Sequence, residues 1–367
     1  MIYVPIKHLK PGMLVAKDVT HGTSFFSLIV NGQSLTVDSI AKLKKYNISG
    51  IYIQSKLLDG IKVEEFIDSE FKQKTVIELK KIYDEFTAQK SIGVSTLNAF
   101  SELSESLIMH AISKDECLIN IIDIKDYDTY TYTHSMYVGI LSALIGIRSG
   151  YPHSMLTELT MCGLLHDIGK LDIPLEIINK DSALTTEEFE LMKTHPANAV
   201  ARLTSCRQIS AAVLAGIENH HERYDGTGYP KGLVGNKISL YGRILALADV
   251  YDALTSCRSY RKAWSSNETI EYMMGCADTH FDYKILQTFL RTVAVYSVGT
   301  IVKLSNGYIG VVVCNSPQNC LRPKVRLFEP EALTGMEIDL SIDKFYLNVT
   351  ITGTIDEETP LPDSIFV

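Results

Sequence analysis

Histidine and aspartate recur inside apolar stripes in the middle of this chain, where burial makes a bare carboxylate expensive. Leu156, Leu159 and Gly163 mark a helical face that continues to His166, with Asp167 directly after it. Ile209, Val213 and Ile217 mark a second face that runs on to His220 and His221. Asp249 lies in ILALADVYDAL between apolar neighbours, and His134 lies in an amphipathic stretch just before VGILSALIG. A metal centre would satisfy several such inward-facing side chains together. On a helix of about 3.6 residues per turn, adjacent residues project about 100° apart. His166-Asp167 therefore suits one ligand to one metal beside a carboxylate that reaches a second, and His220-His221 suits the surroundings of that second metal.

Each residue taken alone has a plainer reading. His195, at a helix end before Pro196, suits interaction with the helix dipole. Asp249 alone reads equally as a satisfied core acid, and His134 as a core histidine bonded to a hydroxyl. His8, His21, His110, His153 and His280 lack an inward-facing context and carry no role.

The elements that must position these groups read as helix after helix from about residue 115 to 295. Tyr127 to Ile147, Ser154 to Ile168, Glu187 to Thr194, Ile209 to His221, Ile238 to Thr255 and Glu268 to Ala277 carry helical spacing. Thr185 and Glu188 form a capping box, with Leu184 and Phe189 where a hydrophobic staple would sit. Ahead of this region, residues 1–55 read as a small α/β module, with strand-like pieces at Met13 to Ala16, Ser24 to Val30 and Gly50 to Ile53 and a helix at Val37 to Tyr46. Residues 56–114 are charged and helical and read as a connector, broken by SIGVST. Beyond 296 the period changes to two. Val298 to Leu304 and Tyr308 to Val313 flank Ser305-Asn306-Gly307, a strong hairpin signal.

A length of 367 residues suits two to three domains, and 46% hydrophobic with 21% charged residues excludes long disorder and fibrous classes. With 35 Lys+Arg against 43 Asp+Glu, the net charge of −8 lacks the basic footprint of a nucleic-acid polymer binder. Seven cysteines without a CxxC pair argue against a disulfide framework and suit a reducing cytoplasm. The N-terminus lacks a signal-peptide core. The longest uncharged stretch, Thr129 to Ile147, has an apolar part too short to span a bilayer. A soluble cytoplasmic protein is expected.

HDIGK at 166–170, HHERYDGTGYP at 220–230 and the later ADVYDAL together resemble the HD-GYP family, a subgroup of HD phosphohydrolases that cleaves cyclic dinucleotides. The resemblance covers roughly residues 115–295, about half the chain. It implies a mainly α fold: an HD-type helical bundle at 115–295, flanked by the α/β module and a β-rich extension at 296–367 with its β-hairpin. It implies two divalent metal ions, iron or manganese. His134, His166, Asp167 and Asp249 match the ligands of the first, and Asp167 would bridge to a second held by His195, His220 and His221. The His/carboxylate set, free of thiolate, suits such metals. Some members carry a Glu for a third metal where this chain has Tyr130, so two are expected.

In the family the lysine matching Lys170 faces the scissile phosphate. Arg258, Arg261 and Lys262 in CRSYRK lie at i, i+3 and i+4, where the arginines would grip the second phosphate. The family usually has Asp-Arg-Pro-Tyr-Arg there, and the missing proline loosens the turn. Asp225, Gly228, Tyr229 and Pro230 form a tight loop that would shape the substrate pocket and meet signalling proteins, although Tyr229 reads equally as a packing residue. The implied reaction is in-line attack on phosphorus by a metal-bridging hydroxide, with Lys170 stabilising the transferring phosphate and Asp167 indispensable. Cyclic di-GMP would give pGpG, then GMP.

Alternatives within enzymes are a 3′3′-cyclic GMP-AMP or pGpG phosphodiesterase, or a general HD nucleotide phosphohydrolase. Outside them stands a catalytically weak cyclic-dinucleotide sensor or a redox-sensing di-iron protein. The N-terminal module and the C-terminal hairpin resemble segments that often flank HD-GYP domains. Regulation and homodimer contacts are their expected roles.

Overall fold

The structure, a computed structural model, describes the chain except residues 20–26, 47, 49, 62–65, 68, 90–92, 114–129, 181, 205–207, 257–263, 317, 356–360, 362–364 and 367. The chain divides into two compact units.

The first unit contains Met1–Glu65 and Val293–Val367. Strand β1 (Ile2–Pro5) pairs antiparallel with β2 (Gly50–Ile53), Ile2 opposite Ile53, and between them in sequence lies helix α1 (Val37–Lys45). Met13 to Ala16, expected as a strand, contributes only single bridges, Leu14 to Ser34 and Val15 to Ile53. The first half of Ser24 to Val30 lies outside the described residues. The C-terminal part is more than a hairpin. Strands β3 (Ile301–Leu304), β4 (Ile309–Cys314), β5 (Lys324–Glu329), β6 (Glu337–Asp339) and β7 (Ile351–Thr354) form one antiparallel sheet in the order β6-β5-β4-β3-β7. The Asn306-Gly307 turn joins β3 to β4, with Ile301 opposite Val311.

The two ends of the chain share a core: Ile2, Val4, Val15 and Ile53 pack with Ile301, Val311 and Phe328. Tyr3 N–H donates to Gly299 O at 3.1 Å, and Ser55 Oγ donates to Ile365 O at 2.6 Å. A two-stranded ribbon with one helix buries too little surface to stand alone.

The second unit contains Phe66–Cys117 and Ile124–Thr292 and is helical. Its helices are α2 (Ser69–Gln89), α3 (Val94–Ser113), α4 (Tyr130–Arg148), α5 (His153–Leu165), α6 (Leu175–Ile178), α7 (Thr186–Met192), α8 (His195–Leu203), α9 (Ala211–Asn219), α10 (Leu240–Thr255), α11 (Ser266–Gly275) and α12 (Tyr283–Phe289). The expected connector helices belong to this unit. Leu97, Phe100, Leu103 and Leu107 line the buried face of α3 at near-helical spacing. Helices α4 and α5 pack backbone to backbone, because a Cβ on Gly163 would lie 2.5 Å from Gly139 Cα. That close approach brings His134 of α4 near His166 at the end of α5.

Two boundaries differ from the sequence expectation in ways that matter for the site. Helix α5 stops at Leu165 and a 3-10 turn, Ile168–Asp172, follows. The helix expected to end at Thr194 ends at Met192, and His195 begins a new one. Pro196 suits the first turn of the new helix, where its missing N–H costs no helical hydrogen bond. The dipole reading of His195 as a cation at a helix C-terminus therefore fails. No helix among the described residues is long and apolar enough to cross a membrane.

Candidate metal centre

Five elements of the helical unit converge their polar side chains on one point. His134 comes from α4 and His166-Asp167 from the end of α5. His195 comes from the start of α8, His220-His221 from the end of α9, and Asp249 from α10. Gly169 lets the 3-10 turn touch the start of α8, because a Cβ there would lie 1.9 Å from His195 O. Three sets of these groups bring one ligand atom each within 4.8 Å of one another: Asp167, His195, His220 and His221; His134, His166 and Asp167; and His166, His220 and Asp249.

The backbone aims the rings. Nδ1 of His166, His195 and His220 lies 2.8, 2.7 and 2.6 Å from the carbonyls of Gly163, Met192 and Ile217. A carbonyl can only accept, so each Nδ1–H donates and each Nε2 faces the cluster. His195 Nε2 and His220 Nε2 approach to 3.2 Å. His134 differs: its Nδ1–H donates to the Asp252 carboxylate at 2.6 Å, and its Nε2 lies 3.2 Å from Asp249 Oδ1 and 3.8 Å from Asp167 Oδ2. Asp167 is central. Its Oδ2 is 3.4 Å from His166 Nε2 and 2.5 Å from Lys170 Nζ, and its Oδ1 is 3.5 Å from His195 Nε2.

Burial is the largest influence on three rings. It holds His195 at about 4, His221 at about 3 and His220 well below the usual imidazole range, so all three are neutral at physiological pH. Burial also pulls His134 down, but Asp249 and Asp252 outweigh it and push that ring up to about 9. Burial raises Asp167 and Asp249, yet His166 and Lys170 hold the first, and His134 the second, well below the ordinary carboxylate range. Neutral imidazoles and ionised carboxylates are the forms that bind metal. His166 Nε2 and Asp167 Oδ1 are buried with no hydrogen bond among the described residues, which is the mark of a group awaiting a different partner. The cluster can hold divalent metal, and its nitrogen and oxygen donors fit that class of ion.

Residues 116–285 match the HD domain family. They form an HD domain. A Pseudomonas aeruginosa protein named a cyclic di-GMP phosphodiesterase is 40% identical over 241 residues, 66% of this chain and 58% of that protein. A Vibrio cholerae protein named 3′3′-cGAMP-specific phosphodiesterase 1 is 39% identical over 157 residues, 42% of this chain and 36% of that one. The solved structure of an HDG"Y"P protein from Bdellovibrio bacteriovorus shares the fold. Its TM-score is 0.50 at 16% identity, over 78% of this chain and 97% of that one. The chain spans about half the length of the curated relatives it matches.

In this HD domain the seven residues expected as metal ligands stand together. Lys170 joins them through Asp167 and remains 32% exposed, and His221 is 25% exposed. Lys170 lies in the 3-10 turn, off the α5 helix face. Tyr229 stacks on His221 with ring centroids 4.8 Å apart, and its N–H donates to His221 O at 3.1 Å. Asp225 is not part of the His/Asp cluster. Its carboxylate accepts from Thr227 N at 2.9 Å and Thr227 Oγ1 at 2.6 Å, which folds the loop. Gly228 is needed for contact, since a Cβ there would lie 2.2 Å from Arg223 N. Pro230 is exposed on the loop rim. Arg258 and Arg261 lie outside the described residues, and so does the side chain of Tyr130.

Two residues that support the cluster escaped the sequence reading of the HD domain. Asp252 holds His134, and its signal was a second aspartate one helical turn after Asp249. Glu222, buried directly after the double histidine, accepts from Lys231 N at 2.7 Å and Leu233 N at 2.9 Å and so pins the loop beside the cluster.

Proposed function

We propose that this HD-GYP domain hydrolyses the phosphodiester of a cyclic dinucleotide, cyclic di-GMP to pGpG and/or GMP. The observation that carries the reading is Asp167, whose Oδ2 faces His166 and His134 while its Oδ1 faces His195. One carboxylate set between two histidine groups suits two ions that share a ligand. His134, His166 and Asp249 would hold one, His195, His220 and His221 would hold the other, and Asp167 would serve both. Two divalent metals, iron or manganese, supply Lewis acidity and an activated water when bound.

The chain's own groups do the rest. Lys170, beside Asp167 and partly exposed, donates to the phosphate and offsets the charge that builds on it. Asp252 fixes the His134 ring and Glu222 fixes the loop, so neither has to be ordered by the substrate. Tyr229, Gly228 and Pro230, with the turn held by Asp225, shape the rim, and Arg258 and Arg261 take the second phosphate. Homodimer contacts, signalling-protein contacts through the loop, regulation by the terminal segments and a cytoplasmic location accompany this reading.

A second substrate, 3′3′-cyclic GMP-AMP, is favoured by the Vibrio cholerae relative that carries that name. Protein purified without a metal-affinity tag is assayed for bound metal. It is then incubated under reducing conditions with Mn²⁺ or Fe²⁺ and, separately, cyclic di-GMP, cyclic GMP-AMP or pGpG. The reading predicts about two metals per chain and conversion of cyclic di-GMP. Faster conversion of cyclic GMP-AMP selects the second substrate. No conversion under any loading leaves a sensor or a structural remnant.

A further inference from the structure

We propose that Phe189, braced by Tyr229, is a stacking shelf for one base of the dinucleotide. This rests on the reading of the domain as a cyclic-dinucleotide phosphodiesterase. The metal ligands and Lys170 can recognise only a phosphodiester, a group that many molecules share, so the bases must be met by residues beside the cluster.

Phe189 lies in α7 within the turn fixed by the Thr185–Glu188 capping box. The sequence pattern assigns it to a staple with Leu184. Phe189 is 47% exposed, and its ring meets Tyr229 edge-on, with centroids 6.4 Å apart and planes at 82°. Tyr229 in turn stacks on His221 at 29°. Phe189 is therefore two ring contacts from a member of the His/Asp cluster. Lys193, one turn further along the chain, places its ammonium over the Phe189 ring, 5.5 Å from its centre, and pairs with Glu190 Oε1 at 2.6 Å.

A half-exposed aromatic ring with a cation at hand matches a nucleobase and its phosphate. A planar base laid on Phe189 would remove from water an apolar surface that the fold leaves open. Stacking of this kind tolerates any base, so the shelf serves guanine and adenine alike.

The test is steady-state kinetics of the metal-loaded full chain with cyclic di-GMP and with methyl p-nitrophenyl phosphate, a phosphodiester without a base. The variants are Phe189→Ala, Phe189→Leu and Phe189→Trp, with metal content measured for each. Ala and Leu should raise KM for cyclic di-GMP about tenfold with kcat held within about twofold, and Trp should restore it. The base-free substrate should not distinguish the four proteins. If the parent chain cleaves cyclic di-GMP and Ala leaves KM unchanged, the shelf is overturned alone. Rescue by Leu equal to Phe, or an equal shift with the base-free substrate, overturns it too. If the parent chain cleaves only the base-free diester, the substrate reading falls and takes the shelf with it.

Discussion

His134 shows how one side chain differs from its neighbours in the cluster. Three rings are oriented by backbone carbonyls, while His134 is oriented by a carboxylate at 2.6 Å. A carboxylate behind a ligating histidine fixes the tautomer and raises ligand basicity. Asp252→Asn should lower metal affinity about 10- to 100-fold, read by chelator competition, with the fold intact by circular dichroism. The same pair sets a pH dependence. Asp249 and Asp252 keep His134 protonated up to about pH 9, and a ligating ring must lose that proton. Metal affinity should therefore climb as pH rises from 6 towards 9. Metal uptake at pH 7 should release a proton, which calorimetry in buffers of different ionisation enthalpy detects. Affinity flat across that range would mean His134 is not a ligand.

At the scale of elements, the close packing of the 3-10 turn on α8 sets where His195 stands. In Gly169→Ala the new Cβ would meet His195 O at 1.9 Å, so the turn or the helix must move. We expect a loss of about 1–3 kcal/mol by urea unfolding, with lower metal content in the folded fraction. The sequence made much of the cluster readable because four of its seven members come as adjacent pairs, His166-Asp167 and His220-His221, at the ends of regular apolar stripes. It misread the element that carries His195, because Pro196 signals both the end of one helix and the first turn of the next. Asp252 was hidden for another reason. Its partner His134 lies 118 residues away, and local periodicity is blind to such a pairing. The shared core of the two chain ends was hidden likewise, since Ile2 and Ile301 meet only in the folded chain.

For the molecule as a whole, the helical unit concentrates buried polar atoms that hydrogen bonding leaves unsatisfied, His166 Nε2 and Asp167 Oδ1 among them. Ligands that bind the folded state stabilise it by mass action, about 2.7 kcal/mol at a hundredfold excess over Kd. Chelation should thus lower the Tm of the helical unit by roughly 5–10 °C, and Mn²⁺ should restore it. An unchanged Tm would show that the cluster is satisfied without metal.

The most direct test of the catalytic assignment compares the parent chain with Asp167→Ala, both metal-reconstituted under reducing conditions and given cyclic di-GMP, with products read by chromatography. The account predicts pGpG or GMP from the parent and a rate at least about a hundredfold lower from the variant, more than the loss of an outer partner. Turnover near the parent rate by Asp167→Ala would contradict it.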